Sequence, residues 1–211
     1  MLALVVICSM CTPAEKQKPG NPVQVRKNDT IAENRQMITT AKNIIRSGDL
    51  VLRTGNDLTS FYFKQLNVTD NTYSHCGIAS VENGKIYIYH ALGGEFNPGQ
   101  QILHERLESF ISPLENDGFG LFRYAYTPPE QTAVMKTADS LYHAGILFDM
   151  DFDLATNEKM YCAEFVYKTL FWGSRGRLKP ETTDAGFKVG VTTDNLFRNP
   201  NCREIGRFVY R

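Results

Sequence analysis

The chain has 211 residues, of which 42% are hydrophobic, and its 23 acidic side chains balance its 23 basic ones. This length is enough for one domain with a full hydrophobic core. A nucleic-acid-binding protein is expected to be basic, so the zero net charge argues against that class. The same balance predicts no electrostatic attraction to an anionic membrane.

The N-terminus begins with a short apolar run that ends in two cysteines, Cys8 and Cys11. The run is too short to span a bilayer, and it is typical of the second half of a secretory signal peptide. We therefore expect residues 1–11 to be a leader, the protein to be exported to the periplasm or cell envelope, and Cys8 or Cys11 to be a candidate for lipid anchoring in the membrane. Export without an anchor, and no export at all, stay open.

Residues 12–28 are polar and rich in proline and glycine, which predicts a flexible tether and leaves 29–211 as a single domain. Thr30 and Glu33 have the spacing of a capping box, so we expect a helix from there to Ser47-Gly48. A strand is predicted at 49–54 and a short helix at 57–66.

A β-hairpin is predicted around Asn83-Gly84, because this dipeptide favours a two-residue type I′ turn between strands at 73–81 and 85–92. The turn fixes the register and places Gly77 opposite His90. Side chains alternate between the two faces of a strand, so His75 and His90 become diagonal neighbours on one mostly apolar face. Cys76 and Tyr89 should point to the other face.

The second half of the chain continues with weaker patterns. Residues 93–99, including Glu95, form a Gly-rich loop that we expect to border a cleft. Further elements are predicted as a weak helix at 102–112, a strand at 120–126, a helix from the capping box at 127–130 to Gly145, and an edge strand at 208–210. An exported protein could join Cys76 to Cys202 in a disulfide, but the sequence leaves this pairing open.

A second helical pattern begins at Cys162, with Phe165, Val166 and Leu170 on one face. A cysteine at a helix N-terminus feels the positive end of the helix dipole, which favours the nucleophilic thiolate. Cys162 could equally be a small buried apolar residue. If its helix packs on the histidine face, the residues combine as nucleophile, base and orienting group. Two histidines alone are too few ligands for a metal site.

Several of these motifs, in this order, resemble the circularly permuted NlpC-type, papain-like amidases of the YiiX/YebB-like group, in which the histidine precedes the cysteine. The resemblance covers residues 47–200 and rests on Ser47-Gly-Asp-Leu-Val-Leu52, Ser74-His-Cys-Gly-Ile78, Phe148-Asp-x-x-Phe152-Asp153, Tyr161-Cys-Ala-Glu164 and Val191-Thr-Thr-Asp-Asn-Leu-Phe197. It implies an α+β papain-like fold, with an antiparallel sheet packed against helices and the nucleophile at a helix N-terminus.

The resemblance also implies roles for single residues. Cys162 becomes the nucleophile, His75 the base and His90 the third residue, where permuted members often carry glutamate. Tyr161, Tyr73 and Glu95 are predicted to bind substrate. No metal and no cofactor are expected.

The implied reaction is hydrolysis of an amide bond, in a peptide or N-acyl amino acid derived from the bacterial cell wall. Two alternatives stay open. One is an acyltransferase or lipid hydrolase with the same three residues, which would have an apolar groove. The other is a catalytically silent binding module of the cell envelope.

Overall fold

A computed structural model of the chain describes residues 22–94, 97–184 and 189–211, with side chains from residue 29 onward. The predicted leader at 1–11 lies outside the described residues, as do Glu95 and the first part of the predicted tether. Within the described part, no helix is long and apolar enough to cross a membrane.

The fold is α+β and is built on one sheet of six antiparallel strands in the order β4-β3-β2-β1-β5-β8, beside a small sheet of β6 and β7. The helices are α1 (Pro22–Ile44), α2 (Leu58–Gln65), α3 (Leu107–Phe110), α4 (Pro128–His143), α5 (Cys162–Gly173) and α6 (Thr193–Phe197). The strands are β1 (Leu50–Gly55), β2 (His75–Glu82), β3 (Lys85–His90), β4 (Leu103–Arg106), β5 (Asn116–Tyr124), β6 (Thr183–Asp184), β7 (Val189–Gly190) and β8 (Cys202–Val209).

The predicted hairpin is confirmed. Asn83 and Gly84 both adopt positive φ angles, of 49° and 75°, as a type I′ turn requires. The pairing of Val81 with Ile86 sets the register of β2 on β3 as the sequence predicted. His75 therefore opens β2, and His90 closes β3 on the same face of the sheet.

The sequence analysis considered the case in which the helix that carries Cys162 packs on the histidine face, but this helix packs on the other face of the sheet. One core cluster joins α5 and α4 to the inward side chains of β1 and β2, among them Cys76 and Ile78. A second cluster on the opposite face contains Ala79 and Ile88 and is covered by α1 and α3. Phe110 of α3 packs against the histidine rings, so that face is already filled.

Two further predictions are corrected, and the pairing of Cys76 with Cys202, which the sequence left open, is decided. Helix α1 begins at Pro22, so residues 22–28 of the predicted tether are helical; proline is well suited to the first turn of a helix. The predicted weak helix at 102–112 is the strand β4 followed by one turn, because β4 completes the edge beside β3. Cys76 and Cys202 are both free thiols and form no disulfide.

Candidate functional site

The N-terminus of α5 presents Cys162 at its first residue. The carboxylate of Glu164 accepts a hydrogen bond from the backbone N–H of Tyr161, the N-cap, at 3.2 Å. Phe165 and Val166 are fully buried and fix the helix against the sheet. Because the N–H groups of a first helical turn have no partners within the helix, this end carries a partial positive charge. Cys162 is half-buried at that end.

The thiol of Cys162 is prepared for ionisation mainly by a second cysteine. A hydrogen bond from the Cys76 side chain lowers the pKa of Cys162, and backbone N–H groups and the charge of Arg53 act in the same direction against the effect of burial. Burial, together with Cys162 itself, raises the pKa of Cys76 well above its ordinary value. Cys76 therefore stays protonated and donates its hydrogen bond to the Cys162 sulfur.

A chain of three side chains runs back from the cavity side of the sheet through His75, His90 and Glu105. His75 Nε2 lies 2.9 Å from His90 Nδ1, with the two rings nearly perpendicular at 87°. His90 is fully buried, and its Nε2 lies 2.8 Å from Glu105 Oε1. Although burial raises the pKa of Glu105, contacts with His90 and Ser109 bring it below its ordinary value, so the group is ionised.

The carboxylate of Glu105 favours one arrangement of protons on both rings. Its Oε1 lies within ion-pair distance of His90 Nε2, although the two atoms are poorly aligned for a hydrogen bond. Because an ionised carboxylate only accepts, this contact favours the His90 tautomer with its proton on Nε2 and a bare Nδ1. His90 Nδ1 then accepts from His75 Nε2–H, which leaves Nδ1 of His75 unprotonated. Burial, with Arg53 and His90, holds the pKa of His75 well below its ordinary value, so the ring is neutral at pH 7. His75 is thus arranged as a base.

Arg53 lies directly across from His75, because these two residues are register partners on β1 and β2. Its guanidinium stacks on Phe110 at 5.2 Å, and Nη1 donates to Asn116 Oδ1 at 3.3 Å. Its Nε is shut off from solvent without a hydrogen-bond partner. This positive charge thus stands beside the base and contributes to the field at Cys162.

A cavity of about 160 Å³ brings the two halves of the site together. Cys162, His75 and Arg53 all contribute to its wall, and we call it the Cys162 cavity. The rest of the lining is mostly apolar and includes Phe63, Leu66, Leu92, Phe148 and Phe152.

The backbone at Gly93 makes room for one of these aromatic walls. A Cβ atom added at Gly93 would lie 2.4 Å from Cγ of Phe148, which is closer than any real side chain approaches another. Phe152 adopts a positive φ of 52°, a conformation that costs energy in a residue with a side chain. The walls of the Cys162 cavity are therefore held in place by close backbone packing.

Polar anchors hold the remaining border of the cavity. The Asp194 carboxylate accepts from the backbone N–H groups of Val68 and Thr69 at 3.0 and 2.8 Å, and so ties the loop after α2 to α6. The hydroxyl of Tyr161 accepts from Val191 N–H at 2.7 Å and holds the segment before α6 beside Cys162. The border thus joins segments that are far apart in sequence.

The predicted site residues fall into three groups. Cys162, His75 and Tyr161 line the cavity, and His90 stands behind His75. Tyr73 does not reach the cavity, which corrects its assignment as a substrate-binding residue. Its ring is 1% exposed because it packs edge-on against Phe122 and Phe197 in the core. Glu95 lies outside the described residues.

Two residues of the site were missed by the sequence reasoning, Arg53 and Glu105. Glu105 belongs to a segment predicted as helix, and the residues Leu-His-Glu-Arg at 103–106 show no apolar–polar alternation that would have predicted a strand. Arg53 lay in a correctly predicted strand, but its pairing with His75 depends on which strands are neighbours.

Comparisons with known proteins support the fold. No family model matches the chain, and no curated protein matches it. Among solved structures it is similar to YiiX from Escherichia coli O157:H7, described as a metalloprotein and as DUF1105. The TM-score is 0.63 at 17% identity, over 77% of this chain and 97% of YiiX. At this identity the similarity shows a YiiX-like fold.

The description of YiiX as a metalloprotein raises the question of a metal site in this chain. Over residues 22–94, 97–184 and 189–211, no group of three or more His, Cys, Asp or Glu side chains is arranged to hold a metal ion. His75 and His90 also turn ring nitrogens toward each other, which removes both as free ligands at that point. The described residues therefore do not fit a metal centre.

Proposed function

We propose that this protein is a cysteine hydrolase that cleaves an amide bond through an acyl-enzyme on Cys162. The observation that carries the proposal is the chain from Glu105 through His90 to His75, which ends at the wall of the cavity that also holds Cys162. Burying this chain costs free energy, because both imidazole rings lose their contact with water and each is restricted to one tautomer. A purely structural role would gain little from that cost.

The proposed reaction begins when Nδ1 of His75 takes the proton of the Cys162 thiol. The sulfur attacks the substrate carbonyl, and the N–H groups of the first turn of α5 stabilise the oxyanion. The His75 imidazolium then protonates the leaving amine, which breaks the C–N bond and leaves a thioester. Water, deprotonated by His75, attacks the thioester and releases the carboxylic acid. Glu105 and His90 support the positive charge that His75 carries between these steps.

The proposed substrate is a cell-wall peptide or an N-acyl amino acid. This part of the proposal is supported by the resemblance in sequence and by the predicted export of the chain. Incubating the pure protein with muropeptides should release a new amine, and Cys162→Ala should abolish the release. Muropeptides that remain intact with an otherwise reactive enzyme would contradict this substrate.

The nucleophile can be tested without a substrate. Limiting iodoacetamide across pH 5–9 should alkylate Cys162 before the other thiols, with an apparent pKa below the value of about 8.5 for free cysteine. His75→Ala should leave the fold intact and abolish hydrolysis of p-nitrophenyl acetate. If Cys162 reacts no faster than an ordinary thiol, the protein is better described as a binding module of the envelope.

A second candidate function is hydrolysis or transfer of a lipid acyl group, which the apolar walls of the cavity favour. Helix α2 borders the cavity with Phe63 and Leu66, and its outer side chains leave a large apolar surface in solvent. These side chains are 52% to 69% exposed and belong to Leu58, Phe61, Tyr62 and Leu66. Exposed apolar area of this kind is typical of surfaces that contact lipids or partners.

The two functions are separated by the acyl chain that the enzyme prefers. A lipid hydrolase should cleave p-nitrophenyl esters faster as the acyl chain lengthens and should gain activity in mixed micelles. Phe61→Ser should reduce that gain without changing the alkylation of Cys162. An amidase for peptides should prefer short acyl groups and should be unaffected by micelles.

A further inference from the structure

Arg53 is a cation in the wall of the Cys162 cavity that lacks an ion-pair partner. Throughout the residues that the structure describes, no Asp or Glu forms a salt bridge with its guanidinium. Burial lowers its pKa, and the negative charges that oppose this effect, on Glu105, Glu115, the Cys162 thiolate and Asp57, act on it only at longer range. A half-buried charge without a partner is costly, so a protein that keeps one gains from an anion that binds there.

The three nitrogen atoms of the Arg53 guanidinium differ in their hydrogen bonds. Nη1 donates to Asn116 and Nε is buried without a partner, whereas Nη2 makes no hydrogen bond in the described part of the chain, although the side chain lines the Cys162 cavity. Phe110 holds the plane of the group from one side. A planar guanidinium fixed in this way presents an open N–H edge, which is the geometry that binds a carboxylate.

The position of Arg53 limits where the anion can lie. Arg53 is the cross-strand partner of His75, and its charge reaches both His75 and Cys162. An anion bound there would therefore be close to the carbonyl that Cys162 attacks. Its charge would also support the His75 imidazolium, because it offsets the repulsion between Arg53 and a protonated ring.

We propose that Arg53 binds a carboxylate of the substrate beside the scissile carbonyl, so that the enzyme selects acyl compounds with a free acid next to the bond it cleaves. This inference rests on the proposed function and adds to it the charge of the substrate. Arg53 is then a specificity-determining residue that contacts substrate. A compound in which the free carboxylate beside the scissile bond is blocked as an amide or an ester should be a poor substrate.

The test uses two alkylating reagents of nearly the same shape, iodoacetate and iodoacetamide, which differ by one negative charge. Both react with the Cys162 thiolate, so any change in thiolate fraction alters both rates equally, and their ratio reports the anion site alone. In the full chain at pH 7, Arg53→Gln should lower the ratio of the iodoacetate rate to the iodoacetamide rate about tenfold. Arg53→Lys should restore part of the ratio.

The matched control is Arg203→Gln, which removes the same charge from the exposed surface of β8. It should leave the ratio unchanged. A ratio that stays the same in Arg53→Gln, with Cys162 still rapidly alkylated by iodoacetamide, would overturn the anion site and leave the nucleophile standing. A Cys162 that neither reagent selects over the other thiols would overturn the proposed function, and the inference with it.

Discussion

Replacing Glu105 by glutamine tests whether the buried chain behind His75 serves catalysis. The substitution keeps the shape of the side chain and removes the charge that faces His90 Nε2 at 2.8 Å. A glutamine amide can either accept from that nitrogen or donate to it, so His90 is no longer restricted to one tautomer. The proton on His75 is then no longer confined to Nε2, and Nδ1 is no longer always free to act as a base.

The expected loss follows from the strength of the contact. A hydrogen bond to a charged group contributes about 1.5–3 kcal/mol. The side chain of Glu105 is 30% exposed, so solvent screens the charge in part and the lower half of that range applies. We therefore expect kcat/KM for p-nitrophenyl acetate to fall about 13- to 45-fold in Glu105→Gln.

A neighbouring pair provides the control. Glu82 contacts His104 Nε2 at 3.0 Å, on the same sheet but away from the cavity, so Glu82→Gln removes the same kind of contact. It should change kcat/KM less than about twofold. If Glu105→Gln retains full activity while Cys162→Ala has none, the carboxylate has no part in catalysis, and the tautomer argument is wrong.

Three further predictions concern the nucleophile, the cavity wall and folding. Cys76→Ala should raise the pKa of Cys162, seen as a shift of the iodoacetamide pH profile to higher pH, and Cys76→Ser should retain part of the effect. Gly93→Ala should push the Phe148 ring into the cavity, which should lower the unfolding free energy by about 1–3 kcal/mol and reduce kcat/KM for bulky esters. Gly94→Ala is the control, because nothing lies within 4 Å of a Cβ atom added there, and it should have none of these effects. Burial raises the pKa of Glu164 to about 7 from 4.5, so the folded protein binds a proton in that interval. The unfolding free energy should fall by about 3 kcal/mol as pH rises from 4.5 to 7, and Glu164→Gln should remove this slope.

Local signals in the sequence were sufficient for the hairpin and for the start of α5. The Asn83-Gly84 turn determines the register of its own two strands. Counting residues outward from the turn was therefore enough to place His75 and His90 next to each other. The position of Glu105 could not follow in this way, because it depends on β4 pairing with β3 across an intervening loop. Pairing of that kind is decided by the tertiary fold and leaves only a weak pattern in the segment itself.

The faces of the sheet show the same limit. The alternation of side chains along β2 correctly placed His75 and Cys76 on opposite faces of the sheet. It could not predict which face a distant helix would cover, because both faces are apolar. Tyr73 was predicted to bind substrate, but its position relative to the strand could not be read from the sequence. The strand begins only at His75, and the chain before it turns into the core between Phe122 and Phe197.

The packing of α5 on the face opposite the histidines explains the layout of the site. Cys76 contacts Cys162 because both lie on the α5 side of the sheet, whereas His75 reaches the cavity from the opposite side. The two can share a cavity because His75 is the first residue of β2 and Cys162 the first residue of α5, so each side chain stands at the end of its element. The buried side chains of α5 pack in the core cluster on the face opposite the His75 ring. The orientation of the His75 ring must then come from its own face of the sheet, where His90, backed by Glu105, contacts it.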